Sequence, residues 1–401
     1  MSLQGCTLQW TISFIITALI SSTSGWQPSN KCGYLRSDHP RSNLPHSTIL
    51  TLFATNLDGA AADGPATGAT PKLPKGAFAP KQSLGQNYLS DQNYVLKIVN
   101  ALEAGATVGA SAARAIAGES NGARVVELGP GAGALSRVLV ERYPSMMAIE
   151  LDGRAVALLA QSLPALTVLE SDVLQVNYKA LSEIRGGPLV VVGNLPYYIT
   201  SQILFSFVDC APVVRRAIVT MQWEVAQRLI AAPNTKDYGI LSVVFQLYAS
   251  PKVNFKIPPT VFYPQPKVDS ALVTIDFPET REPFDVSARD LRRVITAAFQ
   301  QRRKMLRQSL KVLLKEAGEQ KKLGTPSDLS SDVEVATQEC DTDDKSHSAD
   351  AVKLPEEWGT KRPEQLAPED FLTVTELIFG PKQERADGET RIWRHSKHGS
   401  W

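Results

Sequence analysis

The chain has 401 residues, 43% of them hydrophobic and 21% charged, which is enough apolar material for a sizeable core and enough length for two domains. A formal net charge of +1 says nothing about nucleic acid for the chain as a whole, so the distribution of charge has to be read instead. The four cysteines, Cys6, Cys32, Cys210 and Cys340, lie far apart with no CxxC and no histidine at ligand spacing, which argues against a metal site or a disulfide framework.

At the N-terminus, residues 8–20 (LQWTISFIITALI) form one apolar run. It is shorter than the roughly 20 apolar residues of a bilayer-spanning helix. Small residues (SSTSG) and Trp26 follow, the order of a cleaved signal peptide, although MSLQGCT supplies no Lys or Arg. Residues 27–57 then carry Lys31, Arg36 and Arg41 against Asp38, with many Ser and Thr, the composition of an organelle transit peptide. A signal-like segment (1–25) before a transit-like segment and linker (26–80) resembles the two-part presequence of plastids bounded by extra membranes. A secretory signal or a mitochondrial presequence is the alternative. No lasting membrane association is expected after processing.

From Lys81 to about residue 280, short apolar runs alternate with amphipathic stretches. ARVVELG, SMMAIELD, LTVLESD and PLVVVGNLP are rich in β-formers and end in turn or polar residues. Apolar runs without alternation predict strands buried on both faces, hence a parallel sheet covered by helices: an α/β, doubly wound domain. From about Phe284 the pattern turns helical. Residues 287–315 hold nine basic residues against the single acid Asp290, whereas residues 325–350 hold eight acids, one Lys and no aromatic. The first stretch is the basic patch hidden by the net charge, and the second reads as a disordered acidic insertion. Residues 281–401 are therefore expected to form a small helical domain interrupted by that insertion. Pro368 before Glu369 and Asp370 suits a helix start within it.

The first strand of the α/β domain runs into Gly129-Pro130-Gly131-Ala132-Gly133. Glycines there let backbone approach a ligand and adopt dihedrals closed to other residues. The spacing is GxGxG and not the GxGxxG of dinucleotide folds. The second strand ends in Glu150, whose carboxylate can accept both ribose hydroxyls of a nucleoside. The third ends in Asp172, which can accept from an adenine amine while Val173 and Leu174 pack on the ring. The fourth ends in Asn194. Together these motifs mark the carboxyl edge of the sheet, where such folds bind ligands. They imply a nucleoside without a phosphate clamp, which suits S-adenosylmethionine better than NAD.

Asn194-Leu195-Pro196-Tyr197 follows the fourth strand. It resembles the [DNS]-P-P-[YF] signature of methyltransferases acting on exocyclic amines. An adenine amine is a poor nucleophile because its lone pair is delocalised into the ring. Two acceptors, the Asn194 side-chain oxygen and the Leu195 carbonyl, can draw the nitrogen toward tetrahedral geometry. Pro196 fixes its φ and removes a donor. Tyr197 offers a face to an extruded base.

With these come LGQNYLSD (84–91), YGILSV (238–243), PPTVFYPQPKVDSALV (258–273), AFQQRRKML (298–306) and RPEQLAPEDF (362–371). In this order the chain closely resembles the small-subunit ribosomal RNA adenine N6,N6-dimethyltransferases, from about Lys81 to Lys315 and again from Arg362. The resemblance implies a seven-stranded class I S-adenosylmethionine-dependent methyltransferase domain with a small helical C-terminal domain. It implies transfer of two methyls to each of two adjacent adenines in the 3′-terminal hairpin of small-subunit rRNA, on an immature small ribosomal subunit. It places the cofactor on Asn87, Leu89, Gly129, Glu150, Asp172 and Asn194, with Gly131 in the same turn. Phe262 is the aromatic expected to face the target base opposite Tyr197, a core Phe in a Pro-rich turn being the alternative. Arg302, Arg303, Lys304 and Arg307 on the basic helix are expected to contact RNA phosphates. A monomer is expected. The chain departs from the family pattern at Leu84, Tyr88 and Trp223, and in the acidic insertion. Two other readings share the fold: a large-subunit rRNA adenine methyltransferase, and a transcription or ribosome-assembly factor that binds nucleic acid without methylating it.

Overall fold

The computed structural model describes residues 79–103, 121–211, 213–279, 284–323 and 354–381, all within a compact unit spanning Thr70–Trp401. The signal-like and transit-like segments, nearly all of the linker and the acidic insertion lie outside the described residues. A two-residue strand, β1 (Tyr88–Leu89), and helix α1 (Gln92–Glu103) come first. Then follow β2 (Val125–Leu128), α2 (Ser136–Arg142), β3 (Met147–Glu150), α3 (Gly153–Ser162), β4 (Thr167–Glu170), α4 (Tyr178–Ile184) and β5 (Leu189–Asn194). Next are α5 (Thr200–Asp209), β6 (Val214–Gln222), α6 (Trp223–Ile230), α7 (Ile240–Tyr248), β7 (Ser250–Ile257), β8 (Phe262–Tyr263) and β9 (Ser270–Asp276). The last helices are α8 (Ala288–Gln300), α9 (Leu306–Ser309), α10 (Lys311–Leu323), α11 (Glu356–Gly359) and α12 (Asp370–Phe379).

Seven strands form one sheet in the order β4-β3-β2-β5-β6-β9-β7, while β1 and β8 pair separately. The chain winds outward from β2 through β3 to β4, then returns to β5 and winds the other way. The reversal leaves a crevice at the carboxyl ends of β2 and β5, the place where open α/β sheets take ligands. Strands β2 and β3 are buried along their whole length, as their unbroken apolar runs predict.

Two features differ from the sequence-based expectation. Strand β4 is the sheet edge and is exposed at both ends, so LTVLESD is not buried on both faces. The sheet is mixed, because β9 runs antiparallel to both β6 and β7. The connection from β7 through residues 258–269 has no crossover helix, so the chain doubles back.

Apolar side chains cover both faces of the sheet. One cluster joins Val95, Ile98 and Leu102 of α1 to Leu139, Tyr143, Val190 and Val192. The other joins Phe205 and Phe207 of α5, Phe245 of α7 and Tyr238 to Leu291, Val294, Ile295 and Ala298 of α8 and Phe371, Val374 and Ile378 of α12. Among the described residues, the C-terminal helices therefore share the core of the sheet domain. Phe299 stacks on Phe371 at 5.8 Å and meets Tyr238 edge-on at 6.0 Å, and the Tyr238 hydroxyl donates to the Leu366 carbonyl at 2.8 Å.

Candidate active site

The crevice holds a cavity of about 240 Å³. Its floor is the turn after β2. Gly129, Gly131 and Gly133 have φ of 63°, 53° and 82°, a region that side chains disfavour. A Cβ at Gly131 would lie 2.5 Å from the Tyr88 ring, which closes over the turn. A Cβ at Gly129 would meet nothing within 4 Å, and that residue lines the cavity. Backbone can therefore approach a ligand there.

Glu150, at the end of β3, is buried and holds this turn in place. Its Oε2 accepts from the Gly131 N–H at 2.9 Å, and its Oε1 accepts from the Leu151 and Asp152 N–H groups, both at 2.9 Å. A carboxylate has about four acceptor positions, so one remains open on Oε2. Glu150 lines the cavity, so that position is available to a ribose hydroxyl. Asp172 Oδ1 accepts from the Leu174 N–H at 2.9 Å, which leaves its other positions for a ligand amine beside Val173 and Leu174.

The far wall is the loop after β5. Asn194 Nδ2 donates to the Asn87 carbonyl at 2.6 Å, and Asn194 Oδ1 accepts from the Thr220 hydroxyl. The expected substrate acceptor therefore already holds one donor and keeps one lone pair. Leu195, whose carbonyl is the second expected acceptor, lines the same cavity. Pro196 has φ −66° and ψ 131°, which turns the chain into a single 3₁₀ turn over Tyr197–Ile199. Tyr197 Oη and Ser270 Oγ share a hydrogen bond of 2.6 Å, and burial pushes the phenol pKa up.

The near wall is the segment before β1. Asp152 accepts from Gln86 Nε2 at 3.1 Å, from Lys81 Nζ at 3.4 Å and from the Arg154 guanidinium at 2.6 and 3.1 Å. The Arg154 guanidinium holds the Asp152 carboxyl well below the usual carboxylate range, with Gln86 helping. This anion ties the segment to the start of α3. Beneath the glycine turn, Glu127 is fully buried and accepts from the Ser136 hydroxyl at 2.7 Å. Burial pushes its carboxyl up to about 8, opposed by the Ser136 hydrogen bond and aided by the nearby Glu150 charge.

Asn87, Gly129, Gly131, Glu150, Asp172, Asn194, Leu195, Pro196 and Tyr197 all line this cavity. Leu89 and Phe262 do not. They face each other in the β1–β8 ladder and are buried in the α1 cluster. The structure thus corrects the expectation that Phe262 faces a base. Successive residues of a strand point to opposite sides, and here Phe262 turns inward while Tyr263 is 55% exposed. Sequence reasoning missed Gln86, Tyr198, Thr220 and Ser270. Tyr198 was legible as a second aromatic in NLPYY; its ring packs on Gly85 and lines the cavity.

The basic stretch also differs from expectation. Helix α8 ends at Gln300, and residues 301–305 form a turn held by the Lys304 N–H on the Gln301 carbonyl and the Leu306 N–H on the Lys361 carbonyl. Arg302 is half-buried, paired with Glu364 at 2.9 Å and donating to the Thr235 carbonyl at 3.0 Å. These two partners hold Arg302 against the protein, unlike its neighbours in the run. Arg303, Lys304 and Arg307 are exposed.

The acceptors at three strand ends, the open glycine turn and a lining without Lys or Arg fit a nucleoside carrying no phosphate, as S-adenosylmethionine does. Over residues 77–341 the chain matches the family model for ribosomal RNA adenine dimethylases. It is similar to the ribosomal RNA small subunit methyltransferase A of Salinibacter ruber, with 41% identity over 297 residues, 74% of this chain and 84% of the relative. The protein of the same name from Yersinia pestis is 40% identical over 243 residues, 60% of this chain and 83% of the relative. The crystal structure of a dimethyladenosine transferase from Plasmodium falciparum matches with a TM-score of 0.52 at 20% identity, covering 73% of this chain and 98% of that one, and so shares its fold. By this match over most of its length, the protein belongs to the ribosomal RNA adenine dimethylase family and has the class I S-adenosylmethionine-dependent methyltransferase fold.

Proposed function

We propose that this protein transfers methyl groups to the N6 amines of two adjacent adenines in the 3′-terminal hairpin of small-subunit ribosomal RNA. S-adenosylmethionine supplies a methyl on a sulfonium, a leaving group good enough that the amine needs no general base before attack. The observation that carries the reading is one cavity shared by two ligand sets. Glu150 and Asp172 offer acceptors to a nucleoside, while Asn194 and Leu195 offer acceptors to an amine. Held by Asn194 Oδ1 and the Leu195 carbonyl, an adenine N6 loses overlap with its ring and points its lone pair away from both acceptors. Tyr197, anchored through Ser270, supplies a face against which the extruded base stacks. Most of the rate then comes from orientation.

The exposed Arg303, Lys304 and Arg307 supply phosphate contacts that position the RNA without reading its sequence. We infer that the substrate is the immature small ribosomal subunit and that the enzyme acts as a monomer, since residues of one chain complete both acceptor sets. The order of the apolar run 8–20 and the Ser/Thr-rich basic stretch 27–57 supports a plastid destination. Among the described residues no helix is long and apolar enough to cross a membrane. The test is transfer from labelled S-adenosylmethionine to small subunits lacking the modification. Label recovered as dimethyladenine in the 3′-terminal hairpin supports the reading. Cofactor binding without transfer to any small subunit refutes it.

A further inference from the structure

Asn194 serves its reaction through one atom. Only the amide oxygen can accept from an amine N–H, and the amide nitrogen would present a donor to a donor. An asparagine can show either, so the protein must select. The first selection is the Asn87 carbonyl, a pure acceptor 2.6 Å from Nδ2, which would face a second acceptor if the amide turned over. The second is Thr220, whose hydroxyl donates to Oδ1.

Thr220 lies on β6 directly opposite Asn194 in the β5–β6 ladder. It is wholly buried, and its β6 neighbours Ile218, Val219 and Met221 are apolar and equally buried. A hydroxyl in such a place costs stability unless it is bonded, and its bond goes to Asn194. The Thr220 carbonyl also accepts from the Leu195 N–H at 3.2 Å, so one residue fixes both members of the acceptor pair.

We propose that Thr220 is a positioning residue for methyl transfer. Its hydroxyl fixes the Asn194 amide with Oδ1 presented to the target amine, and leaves that oxygen one lone pair, enough for one N–H. The assignment rests on the methyltransferase reading given above. The full chain is compared as wild type, Thr220→Val, which keeps the shape without the hydroxyl, and Thr220→Ser, which keeps the hydroxyl. Single-turnover transfer to unmodified small subunits, cofactor affinity by calorimetry and thermal unfolding are measured for each. The expected result is a rate about tenfold lower in Thr220→Val, with cofactor affinity within about twofold, and recovery to within about twofold in Thr220→Ser. An unchanged rate in Thr220→Val overturns the assignment, as does equal slowing in both variants or a loss confined to cofactor affinity. If Thr220→Val shows no folded transition, Thr220→Ala is judged by the same criteria. A wild type that binds cofactor and transfers nothing overturns the methyltransferase reading and this assignment with it; a fast wild type with a fast Thr220→Val overturns only this one.

Discussion

Asn194 is bonded on both of its amide atoms, so truncating it removes more than an acceptor. Asn194→Ala is expected to slow single-turnover transfer at least about 100-fold, the scale of losing an acceptor preorganised for the transition state. Because Nδ2 also holds the Asn87 carbonyl, calorimetry should show cofactor binding weakened but present. Glu127 gives a different signature. Its pKa in the folded protein is raised to about 8, so its contribution to stability is complete below the ordinary carboxylate range and is lost as pH rises through about 8. Glu127→Gln keeps an acceptor for Ser136 and removes the titrating proton. The variant should match wild type near pH 5 and become the more stable of the two by about 1.4 kcal/mol per pH unit up to about pH 8. Thermal unfolding across that range checks it, and parallel curves would contradict it. Glu150, Asp172 and Asn194 were legible in the sequence because each is a polar residue closing an apolar run, in a fixed order. Thr220 and Ser270 were not. A hydroxyl residue inside a strand reads as an ordinary β-former, and its partner is set by cross-strand register, which sequence spacing does not encode.

The turn between α8 and α9 separates two kinds of arginine that the sequence presents as one run. Arg302 pairs with Glu364 and is half-buried, whereas Arg303, Lys304 and Arg307 are exposed. Replacing the three exposed cations by Ala should weaken RNA binding and flatten the slope of log affinity against log salt, by about 0.7 to 0.9 for each phosphate no longer neutralised. Arg302→Ala should leave that slope unchanged and lower the unfolding temperature, because Glu364 and the Thr235 carbonyl lose their donor. Titrations at several salt concentrations distinguish the two, and a flattened slope in Arg302→Ala would return that residue to the RNA surface. The basic run alone could not show this, since charge density along a sequence does not say which way each side chain turns. Strand direction was equally hidden. Apolar runs report burial, so β2, β3 and β5 were readable, but the edge position of β4 and the reversed β9 depend on pairing partners far along the chain.

Over the whole molecule the consequential fact is a common core. Phe205, Phe245 and Tyr238 pack in one cluster with Leu291, Ile295 and Phe371, so the C-terminal helices complete the sheet domain and are not an appendage. A chain ending at residue 280 should expose that apolar face, lose its cooperative thermal transition and aggregate. A soluble truncated protein with a sharp transition would show that the sheet domain stands alone. The insertion of β9 between β6 and β7 also sets a timetable. A chain that leaves a ribosome or a translocation pore N-terminus first can form the turn at Glu150 and seat Asn194 against Asn87 while its later part is still confined. Ser270, the anchor of Tyr197, emerges later, on the last strand of the sheet, which lies between two others. Entry of β9 is therefore the step that completes the Tyr197 wall of the cavity.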